Sequence, residues 1–361
     1  MNKDIYKVFD LMRFPLIVAV VCIHINALGT WGGVENTFIY SALNRSLPQM
    51  AVPLFFLMSG FLFFRDINQK WDWTAYRKKI KRRVFTLVIP YIVWNILAFS
   101  ADLAWFGAKG VLTKDFSQAA DYLKTFSLSV FWSIKPIGLH TTNWLGISTA
   151  TAGPMDLPLW YLRDLIVLVA LAPLLWHLLK YTKGWILALL ALGYVSRIWI
   201  TVPGFGITGL FFFSIGAYMG MKQIDILEVC RRIKWIWIPT IALAVLVVAF
   251  KGTYTKIGEN LMPFYVISAI VTAINVAHYY SRKGKTATPF LVKSCFFIFA
   301  CHEVVVKDVV KVLIEKVFGG SVEWPLQFVF MVTLIVLICL GLYYIISRWL
   351  PGLSKVLAGN K

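Results

Sequence analysis

Apolar residues run along this chain in long unbroken stretches instead of alternating with polar ones. Ten stretches stand out, at about 10–28, 46–64, 84–101, 158–179, 184–200, 204–221, 235–250, 261–280, 289–306 and 325–347. A helix needs roughly 20 apolar residues to cross the ~30 Å hydrocarbon core of a bilayer. The pattern therefore predicts an all-α fold, a polytopic membrane bundle of about ten transmembrane helices. Its weakest member, 204–221, has an apolar core of only Leu210–Met221.

Composition narrows the class further. The 361 residues are 59% hydrophobic and 15% charged, where a soluble domain carries about 25% charged residues. The 27 Phe, 15 Trp and 15 Tyr exclude a disordered chain, because so much apolar surface must be buried. A net charge of +19 would suggest nucleic acid in a soluble protein. Its distribution argues otherwise. With the N-terminus placed in the cytoplasm, 22 Lys/Arg fall in inner connections and 10 in outer ones, as the positive-inside rule requires. The bias nearly vanishes if 204–221 does not cross, so ten crossings with both termini cytoplasmic are expected. This topology implies a cytoplasmic (inner) membrane and no nucleic-acid partner.

The chain reads as one domain, 1–361, with a basic cytoplasmic loop at 65–83 and a long extracytoplasmic segment at 102–157. No separate soluble domain and no internal repeat is apparent. Within 102–157, Phe126–Ile134 is too short to cross and is expected at the interface or dipping back in. Lys3, Lys7, the apolar run and Ala27-Leu28-Gly29 resemble a cleavable leader, but Arg13 and His24 inside the run favour a first span. None of the five cysteines falls in an outer loop, so no disulfide framework is implied.

Ionisable groups inside apolar spans carry the candidate chemistry, because each costs several kcal/mol unless it is paired or lines a polar cavity. Arg13 and His24 are eleven residues apart, about three helical turns, and so share one face about 16 Å apart along the axis. His302 and Glu303 lie at a depth similar to that of His24. Arg163, Asp164 and Arg197 approach the same outer layer from other spans. A base with a carboxylate partner and cations suits acyl transfer to a hydroxyl: the base removes the proton and the cations steady the tetrahedral oxyanion. The plainer reading makes Arg163 and Asp164 a self-neutralising pair and has Arg13 reach the headgroups. His177 and His278 read as interfacial, and His140 carries no signal alone.

Tyr76-Arg-Lys-Lys-Ile-Lys-Arg-Arg83 packs six cations into seven positions. It serves as a positive flank on anionic lipid, or as a site for a phosphate-rich donor at Arg77, Lys78, Arg82 and Arg83. No phosphate-binding glycine loop, CxxC pair or HExxH helix accompanies it, so neither ATP, NAD nor a metal is indicated. Ser59 and Ser294 have no evident base at their depth, which argues against a serine nucleophile.

These motifs, in order, resemble those of the acyltransferase family 3 membrane proteins. Arg13-x10-His24 is similar to the family signature in the first span, and Val52-Pro-Leu-Phe-Phe-Leu-Met-Ser-Gly-Phe-Leu62 to its second-span motif. The basic run up to Pro90-Tyr91 resembles its cytoplasmic loop. Leu159-Trp-Tyr-Leu-Arg163, Phe213-Ser-Ile-Gly-Ala-Tyr218 and Ser294-Cys-Phe-Phe-Ile-Phe-Ala-Cys-His302 follow in the expected places. The resemblance implies an O-acyltransferase that moves an acyl group, typically acetyl, from cytosolic acyl-CoA to a hydroxyl of an envelope polysaccharide or lipid-linked sugar. No permanently bound cofactor is implied. It also implies that Arg13 and His24 are the essential pair, with Arg82 and Arg83 in the basic loop. From the residues themselves, His24 would act as general base or carry the acyl group itself, and Arg163, Arg197, His302 and Glu303 would orient the acceptor or stabilise charge; Glu303 is not assigned by the family pattern. The rival reading is a transporter or flippase for an anionic or glycolipid substrate, which also needs intramembrane Arg and His. Such folds often show paired broken helices in internal repeats.

Overall fold

All ten apolar stretches are helical in the computed structural model, but the helices differ widely in length. The structure describes residues 4–28, 31–34, 37–67, 71–142, 148–200, 202–252, 255–319 and 321–360, and of 136–142 and 148–151 the backbone only. Lys3, Gly29 and the His140 side chain lie outside the described residues. In chain order the helices are α1 (Asp4–Ile23), α2 (Phe38–Phe64), α3 (Trp73–Thr113), α4 (Ser117–Lys124), α5 (Leu157–Ala170), α6 (Ala172–Tyr181) and α7 (Ile186–Ser196). They continue with α8 (Ile207–Met221), α9 (Ile226–Arg232), α10 (Lys234–Ala249), α11 (Lys256–Arg282), α12 (Pro289–Phe318), α13 (Trp324–Trp349) and α14 (Pro351–Ala358).

Five of these, α2, α3, α11, α12 and α13, are long and apolar enough to cross a membrane by themselves. Two bent pairs raise the number to seven: α5 with α6 turns by 64°, and α9 with α10 by 68°. At 1.5 Å per residue, α7 and α8 rise only about 16 and 22 Å, short of the ~30 Å core. The molecule is thus an all-α membrane bundle, assembled from unequal and broken helices where the hydropathy pattern predicts ten similar ones.

Helix α1 sits against α2, α11 and α12. Ile5, Val8, Phe9, Met12, Leu16, Ile17, Val20 and Val21 recur at three- and four-residue spacing and are all buried, so one face of α1 forms the centre of the core. The closest pairing is α2 with α8. A Cβ on Gly60 would lie 2.1 Å from the Phe213 carbonyl oxygen, and one on Gly216 would lie 2.0 Å from that of Leu57. Without a hydrophobic drive in lipid, small residues that let backbones meet are what hold such a crossing together.

The basic connection is more ordered than a loop. The Asp72 carboxylate caps α3 by accepting from the Thr74 and Ala75 N–H groups, and the Arg/Lys run that follows is made of good helix formers. Residues 73–83 are therefore the first turns of α3, which over 41 residues is about 60 Å long. The long segment 102–157 departs from the all-α expectation with an antiparallel pair of strands, β1 (Lys135–Thr142) with β2 (Ser148–Gly153), in a stretch rich in strand-favouring Thr. Phe126–Ile134 neither crosses nor forms a long helix. Its Val130 packs against Ala98 and Phe99 of α3 and against Met155, and Tyr91 donates a hydrogen bond to the Phe131 carbonyl.

Candidate functional site

Helix α1 stops at His24, and its last carbonyls are gripped from α2. The Asn44 amide donates to the carbonyls of Cys22 (2.7 Å), Ile23 (3.1 Å) and Ile25 (2.8 Å), while the Tyr40 hydroxyl donates to Ile25 (3.2 Å). Asn44 reaches them from a wide π turn, Ser41–Ser46, whose closing bond runs from the Leu47 N–H to the Ala42 carbonyl. A second π turn, His302–Val306, interrupts α12, and a third, Val84–Val88, interrupts α3 just beyond Arg83. Such turns cluster at functional sites because the extra residue re-aims side chains.

His24 and His302 meet edge to face, with ring centroids 5.2 Å apart and planes at 74°. His24 Nδ1 lies 3.3 Å from the Val20 carbonyl oxygen, and His302 Nδ1 lies 3.0 Å from that of Ile298. A carbonyl only accepts, so each Nδ1 carries the hydrogen and each Nε2 presents a lone pair. His302 is fully buried, and its Nε2 has no hydrogen-bond partner among the described residues. Glu303 pairs with Lys307 one turn on, through Oε1, and leaves Oε2 buried without a partner. The Lys307 ammonium is within electrostatic reach of both imidazoles. Asp156, from the turn ahead of α5, is within reach of Glu303.

Arg13 lies deeper along α1, in ion-pair contact with Asp10 (3.3 Å). Arg13 and Arg83 are near one another and near the half-buried Tyr161, whose phenol oxygen is 3.2 Å from Ser59 Oγ. Of the basic cluster, Arg77, Lys78 and Arg82 are exposed, whereas Arg83 is half-buried and turned toward the Arg13 level. Lys79 is tied to the Phe63 carbonyl (2.6 Å) and to Asp66 (3.2 Å).

The structure thus joins His24 to His302 and Glu303, and Arg13 to Arg83. Arg163 and Arg197 make other contacts. Arg163, only 4% exposed, donates to Asp164 (3.0 Å) and to the carbonyls of Trp132 (2.6 Å) and Ala152 (2.9 Å), strapping the 102–157 segment onto α5. Arg197, in the left-handed region at φ 58°, pairs with Glu259 and with Asn260 (2.6 Å) at the start of α11.

Four site residues escaped the sequence reading. Lys307 was legible as a Glu-x3-Lys spacing that puts opposite charges one turn apart. Tyr161 lies inside a motif noted only for its arginine. Asn44 and Asp156 belong to turns whose depth no hydropathy pattern encodes.

The chain matches the acyltransferase family 3 model, described as an acyltransferase domain, over residues 6–344. It is 27% identical over 239 residues to the succinoglycan biosynthesis protein ExoH of Rhizobium meliloti (strain 1021), which is 63% of this chain and 57% of that protein. The chain therefore spans little more than half the length of that relative. No solved structure matches it. The family match takes in the histidine pair, both arginines below it and nearly every helix between α1 and α13, and so the chain belongs to acyltransferase family 3.

Proposed function

We propose that this protein is a membrane O-acyltransferase that moves an acyl group, acetyl first among them, from cytosolic acyl-CoA to a hydroxyl of an envelope polysaccharide or a lipid-linked sugar. The observation that carries the reading is the His24–His302 pair, whose Nε2 lone pairs are free for a proton, with Arg13 about 16 Å from His24 along α1 and Arg83 near Arg13. The name of the relative ExoH, a succinoglycan biosynthesis protein, supports a polysaccharide acceptor. With both termini cytoplasmic in the inner membrane, Arg13, Arg83 and the exposed Arg77, Lys78 and Arg82 face the donor's phosphates, and the pantetheine arm reaches upward.

In the reaction His24 Nε2 takes the proton of the acceptor hydroxyl as its oxygen attacks the thioester carbonyl. The oxyanion that forms is steadied by the nearby Lys307 ammonium. The carbon–sulfur bond then breaks and the thiolate leaves with the proton from His24, giving ester, free thiol and neutral imidazole.

The experiment is mass analysis of surface glycan from cells lacking the protein, complemented with wild type or with His24→Ala. The wild type should restore an ester that the variant does not. Restoration of equal ester by a folded His24→Ala protein would overturn the proposal.

A further inference from the structure

The second unpartnered carboxyl of this region belongs to Asp156, a residue that no motif singles out. Asp156 is 1% exposed, and both its oxygens are buried without a hydrogen-bond partner among the described residues. Its backbone, by contrast, is fixed. The Asp156 N–H donates to Asn95 Oδ1 (3.0 Å), and the Asn95 amide donates to the Tyr91 carbonyl (2.8 Å), anchoring the turn to α3. One residue earlier, the Met155 N–H donates to the Val130 carbonyl (2.8 Å). A carboxyl group this rigidly placed and this deeply buried is costly to leave unsatisfied.

Its neighbours have the same need. Asp156 lies within electrostatic reach of Glu303, whose Oε2 is also without a partner, and Glu303 is next to His302, whose Nε2 is likewise free. Burial and the nearby Glu303 charge favour the protonated form of Asp156, so the cluster offers an O–H donor beside its acceptors and the missing ligand must both donate and accept. A divalent cation is a poor fit, since no group of three or more His, Cys, Asp or Glu is placed to hold one among the described residues. Positive charge is already supplied by Lys307 to Glu303 and by Lys135 near Asp156. A polyol supplies several hydroxyls side by side, each both donor and acceptor, without adding charge to an apolar bundle.

We propose that Asp156, together with Glu303, binds the acceptor sugar, each carboxyl group sharing a hydrogen bond with a hydroxyl that flanks the one directed at the histidine pair. This rests on the acyltransferase reading above and adds the contact that selects a sugar. It also gives a reason for the turn that joins the hairpin to α5: it sets an acidic ledge beside the base.

The test separates binding from transfer. Oligosaccharides released from the surface glycan of cells lacking the protein are added to purified full-length protein without donor. They should raise the melting temperature of the wild type, and not that of Asp156→Asn or Glu303→Gln. With acetyl-CoA as donor, Asp156→Asn should raise the acceptor KM about 10- to 100-fold while the donor KM stays put, as loss of a buried hydrogen bond predicts. Acceptors lacking a flanking hydroxyl should show the same KM rise on the wild type, which needs no variant to fold. Equal oligosaccharide binding by wild type and both variants, or a deoxy acceptor as good as the parent, would mean that the orphans hold only water and would overturn the assignment. Binding without any transfer from acetyl-CoA by the wild type would instead sink acetyl-CoA as the donor and leave the sugar site standing.

Discussion

His24 and His302 stand edge to face, 5.2 Å between ring centres, each locked through Nδ1 to a carbonyl one turn back on its own helix. The arrangement assigns both tautomers and leaves one lone pair per ring for chemistry. His24→Ala should lower kcat by about 10²- to 10⁴-fold, the usual worth of a positioned base. His302→Gln should keep the fold and lower kcat by less, because the His24 lone pair survives. Initial rates in membrane vesicles at saturating donor decide the order; a larger loss for His302→Gln would make His302 the base.

The grip of Asn44 on the end of α1 is a second testable relationship. Three carbonyls, those of Cys22, Ile23 and Ile25, share its amide, the last of them buried. Asn44→Ala leaves them without that donor, which should cost about 1–3 kcal/mol. It should also loosen His24 without touching substrate. The expected signature in detergent is a lower melting temperature and a reduced kcat with both KM values nearly unchanged. Unchanged kcat would show that the helix end holds His24 without Asn44.

Glu303 and Lys307 form a largely covered ion pair beside the imidazoles, and breaking one side strands a charge. Lys307→Met alone should destabilise by about 3–5 kcal/mol, whereas Lys307→Met with Glu303→Gln should recover most of that loss. Thermal unfolding of the two single variants and the double variant makes the comparison. Additive losses would mean that the pair is not coupled.

The sequence made some levels of this structure readable and not others. Burial of α1 follows from its three- and four-residue apolar spacing, and the depths of Arg13 and His24 follow from helical rise alone. The meeting of His24 with His302 is different: equal depth on two helices says nothing about which faces touch, and α12 brings His302 round only through a π turn that no periodicity predicts. Breaks and lengths were hidden for a similar reason. The run 158–179 is apolar throughout, yet α5 and α6 bend by 64° at Leu171, where Pro173 soon follows and cannot donate to an uninterrupted helix. The hairpin at 135–153 was masked by its place in a polar connection. Arg163, read either as an acceptor-orienting cation or as a self-neutralising partner of Asp164, donates to Asp164 and to the carbonyls of Trp132 and Ala152, as the plainer reading expects.

Within the basic cluster the structure separates two kinds of cation, and the separation has a measurable consequence. Arg77, Lys78 and Arg82 are exposed on α3, where screening by salt keeps any single ionic contact to about 0–1 kcal/mol. Arg83 is half-buried near Arg13 and the Tyr161–Ser59 pair, where a phosphate or thioester arm would be less screened and more precisely held. Arg83→Gln should therefore raise the donor KM by about 10-fold or more, an effect that persists at high salt. Arg77→Gln should raise it by less than about 5-fold, and only at low salt. The acceptor KM should be indifferent to both. Acetyl-CoA titrations at two ionic strengths measure all of these, and equal effects of the two substitutions would place the donor on the exposed face of the helix instead of at the Arg13 level.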